Sequence, residues 1–178
     1  MATITFKTRL YTVNDWTILR VSRENSDKLP SRGQVMAKGT VNDLPFHDAL
    51  EPDGNWGHWL HVTDEMKQAV GLEDGAEVEV TLEATKDWPE PQIPADWQAT
   101  LDGDAGIMAL WQRVTPMARW EWLRWINSTE NPETRQRRIE VSCDKLRKGM
   151  RRPCCFNRSM CCVPQVSKSG VLLDSPTA

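Results

Sequence analysis

A chain of 178 residues with 39% hydrophobic and 26% charged side chains can bury one good core, or one core and a smaller appendage. No apolar run approaches the ~20 residues that a membrane-spanning helix needs. The net charge of −3 hides an uneven split, with 12 basic and 22 acidic side chains in residues 1–134 against nine and two in residues 135–158. An acidic body of this kind argues against nucleic acid as a partner, because phosphate binding rests on accumulated positive charge.

The opening Met-Ala-Thr-Ile-Thr-Phe-Lys alternates like a strand and lacks the apolar block of a secretion leader, so a bacterial-type cytoplasmic location is expected. Ile4, Phe6 and Leu10 predict one strand, and Trp16, Ile18 and Val21 a second. Ser22 to Arg32 is polar and reads as a loop. Val35, Ala37, Gly39 and Val41 predict a third strand, turned by Asn42-Asp43 into Leu44-Pro45-Phe46, with a further turn at Pro52-Asp53-Gly54-Asn55.

The stretch from Trp56 to Leu82 is the most informative. Gly57 to Val62 reads as a strand; Thr63 or Asp64 can cap a short helix whose buried side is Met66, Ala69 and Val70; and Gly71 can end it in the left-handed conformation. Asp74-Gly75 supplies a turn, and Val78, Val80 and Leu82 alternate with Glu77, Glu79 and Thr81 as a strand with one buried face. Five or six short strands with little helix between them predict a small barrel. Val62 to Val80 is similar to the strand, helix, glycine turn and strand of AbrB/MazE-like double-split barrels. Residues 4 to 84 resemble the barrel domain of unknown function that heads many YdeI/OmpD-associated, or bacteriocin-protection, proteins.

Asp87-Trp88-Pro89-Glu90-Pro91-Gln92-Ile93-Pro94 forbids helix and reads as a connector, either free or laid along the barrel as an ordered edge. Beyond it the period becomes helical. Ala95 to Leu101 and Asp104 to Gln112 predict two helices, Thr115-Pro116 opens a third and Asn131-Pro132 a fourth that Gly149 can stop. In the third, Met117, Trp120, Trp122, Leu123, Trp125 and Ile126 reach most of the way round the cylinder, which implies a sandwiched helix or an exposed aromatic groove. In the fourth, Ile139, Cys143, Leu146 and Met150 share a stripe with Arg135 at its edge, while Arg137, Arg138, Lys145 and Lys148 form a basic face. Residues 94 to 150, with PETRQRRIE at 132–140 as the most specific piece, resemble the helical region of the same family. The expected fold is α+β, a double-split barrel over 1–86, a connector over 87–94, three to four helices over 95–150 and a Cys-rich tail over 151–178. That tail is expected to be irregular, packed back by Phe156, Met160 and Val163 and frayed after about Leu173.

Candidate chemistry is sparse. His58 and His61 lie three apart on a strand and point to opposite faces, and His47 follows a turn, so all three read as surface or barrel-rim side chains. There is no Gly-x-Ser-x-Gly elbow, no phosphate-cradling loop, no His-Glu-x-x-His and no dinucleotide fingerprint. Cys154, Cys155, Cys161 and Cys162, flanked by Arg151, Arg152 and Arg158, offer a soft-metal site for Zn²⁺ or Cu⁺, a redox cluster, or ordinary thiols; the spacing departs from that of a zinc knuckle. The basic face suits an anionic partner, and the chain's own acidic barrel would explain the charge split. Resemblance to the family implies a role in tolerance to bacteriocin-like agents and supplies no reaction; the missing catalytic motifs weaken an enzyme reading without excluding one, and a binding or stress-protection protein is expected. Its expected ligand is a small or amphipathic molecule, or a protein, with Trp56, Trp59, Trp120, Trp122 and Trp125 as the binding residues. The alternatives are a metal- or redox-responsive protein using the cysteines and an AbrB-like DNA-binding regulator.

Overall fold

The computed structural model describes residues 1–153 and 157–174. The chain divides into two units, one made of Met1–Asp87, Asn157–Cys161 and the segment from Gln165, the other beginning at Trp88 and carrying the long helices.

The first unit is a seven-stranded antiparallel sheet in the order β1-β7-β4-β5-β6-β3-β2. Its strands are β1 (Ile4–Arg9), β2 (Tyr11–Val13), β3 (Trp16–Val21), β4 (Val35–Val41), β5 (Leu44–Pro52), β6 (His58–His61) and β7 (Glu77–Ala84). β1 and β2 stand at opposite ends of that order, yet Leu10 alone separates them in the chain. One residue spans no more than about 3.6 Å, so the sheet must curl until its edges meet. The result is a half-barrel. The Asp74-Gly75 turn fastens the seam, for the Leu10 N–H donates to Ala76 O at 2.9 Å and the Gly75 N–H to Leu10 O at 2.8 Å.

Two-residue loops set the register of two hairpins. Asn42-Asp43 joins β4 to β5 and Asn14-Asp15 joins β2 to β3, each residue having positive φ between 45° and 70°, which suits the twist of the flanking strands. Inside the curl Ile4, Leu19, Val35, Leu50, Leu60, Val80 and Leu82 make one core. Helix α2 (Asp64–Val70) starts at Thr63, whose Oγ1 accepts from the Met66 N–H at 3.2 Å, and ends at Gly71 with φ 65°. Its expected buried side is corrected, since α2 has no fully buried residue and Ala69 is exposed. Met66 and Leu72 do pack on the core. The expected loop at Ser22–Arg32 also needs correction, because Arg23–Ser26 forms a one-turn helix α1 capped by Ser22 Oγ.

The second unit holds α3 (Ala95–Gly103), α4 (Ala105–Arg113), α5 (Pro116–Ile126) and α6 (Pro132–Arg147). Asp104, Thr115 and Asn131 cap the last three with their side chains, and Pro116 and Pro132 follow where an N–H would have no helical partner. Trp97, Leu101, Ile107, Trp111, Trp122, Ile126, Ile139 and Leu146 form its core, with Trp97 set edge-on to Trp111 at 5.4 Å. The connector is ordered against these helices. Trp120 donates its indole N–H to Pro89 O at 2.7 Å, Trp88 stands edge-on to Trp120, and Arg119 pairs with Glu90 at 2.5 Å.

Over its described residues the tail is irregular chain and turns apart from one short hairpin. β8 (Ser167–Lys168) and β9 (Val171–Leu172) form a hairpin in the first unit, with Val166 and Leu172 fully buried. Phe156 and the last four residues lie outside the described residues.

Candidate functional site

Where β5 ends, the chain makes a tight loop, Asp53-Gly54-Asn55-Trp56-Gly57, before β6 begins. Asp53 is buried and organises it. Its Oδ1 accepts from the N–H of Asn55 at 2.6 Å and of Gly57 at 2.9 Å, while its own N–H donates to Gly57 O at 3.0 Å. This geometry turns Trp56 outward with φ at 71°, a left-handed conformation that is uncommon for a bulky side chain. Backbone outliers of this kind concentrate where a protein binds something.

Trp56 is 57% exposed, the most exposed large hydrophobic among the described residues after Met1. Two guanidinium groups sit over its ring, those of Arg23 and Arg32, each 5.4 Å from the ring centroid. Arg32 also donates from Nη1 to Trp56 O at 3.1 Å and pairs through Nη2 with Asp27. Trp56 lines a cavity of about 250 Å³ together with Arg32, Gly54, Gly57, Ser159 and Met160. The tail closes one wall. Cys161 N–H donates to Gly170 O at 2.8 Å and Leu172 N–H to Asp53 O at 2.8 Å, so the hairpin is tied to the loop that carries Trp56. A Cβ on Gly54 would lie 2.0 Å from Gly170 O, and Gly54 itself has φ 76°, so no other residue fits there unstrained.

Of the five expected tryptophans, Trp56 lines this cavity. Trp59 is buried in the first unit, edge-on to Trp16, and Trp122 is buried in the second, where its indole N–H donates to Arg151 O at 3.0 Å. Trp120 is half-buried and committed to the connector; Trp125 is half-buried and stands edge-on to Trp122. The expected basic face divides. Arg138 donates to Trp125 O at 2.8 Å and to Ser128 Oγ, and it shares the Trp125 ring with Lys145, each cation 5.6 Å from the centroid. Burial lowers the pKa of Arg138 from its ordinary value. Lys148 pairs with Asp144 one turn away at 2.8 Å, and Arg137 is exposed.

His58 departs from its expected surface or rim placement, while His47 and His61 agree with it. His58 is fully buried, with its Nε2–H donating to Gly33 O at 2.9 Å. His61 is half-buried and stacked on Trp16 at 4.4 Å, and burial lowers its pKa. His47 is exposed and bonds Asp87 O at 2.8 Å, while burial raises the pKa of neighbouring Asp48. Cys143 lies on the apolar stripe of α6, where burial pushes its thiol up. Of the expected metal ligands, Cys154 and Cys155 lie outside the described residues; Cys161 is buried and Cys162 half-buried. Among the described residues no group of three or more His, Cys, Asp or Glu is arranged to hold a metal ion.

Sequence reading missed Arg23, Arg32 and Ser159. One signal was present, a tryptophan held between two glycines in a turn, where a large aromatic has little chance of reaching a core.

Two family models match the chain. Residues 4–82 match a domain of unknown function, DUF1905, and residues 90–149 match the family described as bacteriocin-protection, YdeI or OmpD-associated. The helical segment is thus similar to the YdeI/OmpD-associated family. The DUF1905 match runs from β1 to Leu82 in β7, and the second match covers α3 to α6. Ser159 and Met160 lie beyond both. No curated protein matches the chain. No helix among the described residues is long and apolar enough to cross a membrane.

Proposed function

We propose that this protein is a non-catalytic binding protein whose half-barrel unit takes a small molecule in the cleft beside Trp56. The observation that carries the reading is Trp56 itself, more than half exposed, held in a left-handed backbone conformation and lining a cavity. Exposing an indole forgoes ~2 kcal/mol of burial and the backbone conformation costs a further ~1–2 kcal/mol, which the two exposed cation–π contacts of ~0.5–1 kcal/mol each only partly offset. A ligand that covers the ring recovers the first of these. The family's description, bacteriocin protection, is a phenotype and names no reaction; sequestering a small toxic compound is a mechanism compatible with it.

The test is a library of small molecules titrated into isotope-labelled protein, read on the Trp56 indole N–H and the Gly54 and Gly57 amides. Binders are expected to shift these three signals together and to lose that effect in Trp56→Ala. A library in which no compound moves them at millimolar concentration overturns the reading.

A further inference from the structure

We infer that the cleft takes a small organic anion, a carboxylate carried on a flat apolar body, with Arg32 meeting the charge and Trp56 and Met160 covering the body. The inference rests on the binding role proposed above and names the ligand class for that same site.

Charge is the first ground. Arg32 lines the cavity, and Arg23 lies over the same indole ring. A guanidinium has five N–H donors, and Arg32 commits Nη1 to Trp56 O and Nη2 to Asp27, which leaves others for a ligand. The Asp27 pair fixes the planar fork in place, as carboxylate recognition requires. Asp53, the nearest buried carboxylate, has its Oδ1 occupied by the N–H groups of Asn55 and Gly57. A cationic ligand, the usual guest of an exposed tryptophan, would meet two guanidinium groups already on the ring.

Size and shape are the second ground. A cavity of about 250 Å³ has room for an aromatic or short branched acid. The indole offers a flat face and Met160 a thioether that adapts to an irregular body. Ser159 adds a hydroxyl at the rim, itself bonded to Asn157 Oδ1 at 2.7 Å. Because Ser159 and Met160 lie beyond both family-matched segments, this wall distinguishes the cleft of this chain from what those segments alone supply.

Benzoate and benzamide are nearly the same shape and differ in charge, so titrating both into the labelled full chain separates the terms. Benzoate is expected to shift the Trp56 indole and the Gly54 and Gly57 amides with at least tenfold higher affinity than benzamide, and to weaken as salt rises. Arg32→Gln should remove that tenfold preference and Arg32→Lys should restore part of it, with the rest of each spectrum unchanged as proof of folding. Equal binding of the two probes, or a benzoate affinity that Arg32→Gln leaves alone, overturns the anion while the small-molecule site stands. Silence from both probes alongside a neutral library compound that shifts the same signals also overturns the anion alone; silence from probes and library together overturns the site as well.

Discussion

Trp56 and Trp97 are the same amino acid in opposite circumstances, one 57% exposed with φ 71°, the other fully buried. Trp56→Gly removes an exposed ring and two exposed cation–π contacts of ~0.5–1 kcal/mol each, and it relieves a left-handed strain of ~1–2 kcal/mol. Its stability in urea should stay within about 1 kcal/mol of the parent. Trp97→Ala should lose about 3–5 kcal/mol, and a loss of that size at Trp56 would show that its conformation serves folding rather than binding. Asp96 carries the clearest pH dependence. Arg135 reaches it with two hydrogen bonds, 2.5 and 2.9 Å, which hold its carboxyl below the ordinary value of 3.8 despite partial burial. Because the folded value is the lower one, the pair stabilises fully above about pH 4 and fades as pH falls through the folded value. The carboxylate is 44% exposed, and solvent screening holds the effect to ~0.5–1 kcal/mol. Asp96→Asn should destabilise by that amount at pH 7 and by progressively less as pH falls below the ordinary carboxylate value, measured by denaturation across that range.

At the scale of elements, the half-barrel shows how a loop and a hairpin depend on each other. β8 and β9 contribute four strand residues and would be marginal alone, as two-stranded hairpins are. They persist because Val166 and Leu172 are buried and because Asp53 O and the Gly54 backbone receive them. Gly54→Ala puts a Cβ against Gly170 O and forces a residue with a side chain into positive φ. It should cost about 2 kcal/mol or more and loosen the hairpin, seen as faster hydrogen exchange at the Cys161 and Leu172 amides. Slow exchange at both in that variant would show the hairpin to be independent of the loop. The helix starts behave more simply. Thr115→Ala removes the acceptor of the Ala118 N–H and should cost about 1 kcal/mol by thermal unfolding, while Thr115→Ser should be near neutral.

For the whole molecule, unit and chain order do not coincide, because the first unit is closed by residues that follow the second in sequence. A chain ended at Met150 keeps both family-matched segments and loses Val166 and Leu172 from the half-barrel. Its half-barrel should be less stable by at least about 2 kcal/mol, judged from the burial of a leucine-sized side chain, and its Trp56 signals should no longer respond to a ligand that binds the full chain. Helix α5 marks the limit of sequence reading on this scale. Its aromatic residues reach round the helix as the sequence shows, but which of them face the core was decided by packing, with Ala118, Trp122, Leu123 and Ile126 buried and Trp120 held by the connector.

The sequence by itself determined the local structure: alternation made the strands, Asn-Asp and Asp-Gly made the turns, and Ser, Thr, Asp, Asn and Pro marked the helix starts, because each of these acts over four residues or fewer. The curl of the sheet, the hairpin folded back from the tail and the cleft beside Trp56 were decided only in three dimensions. They join positions about a hundred residues apart, such as Gly54 to Gly170 and Asp53 to Leu172, where no periodicity links one to the other and only the burial of shared surface selects the pairing.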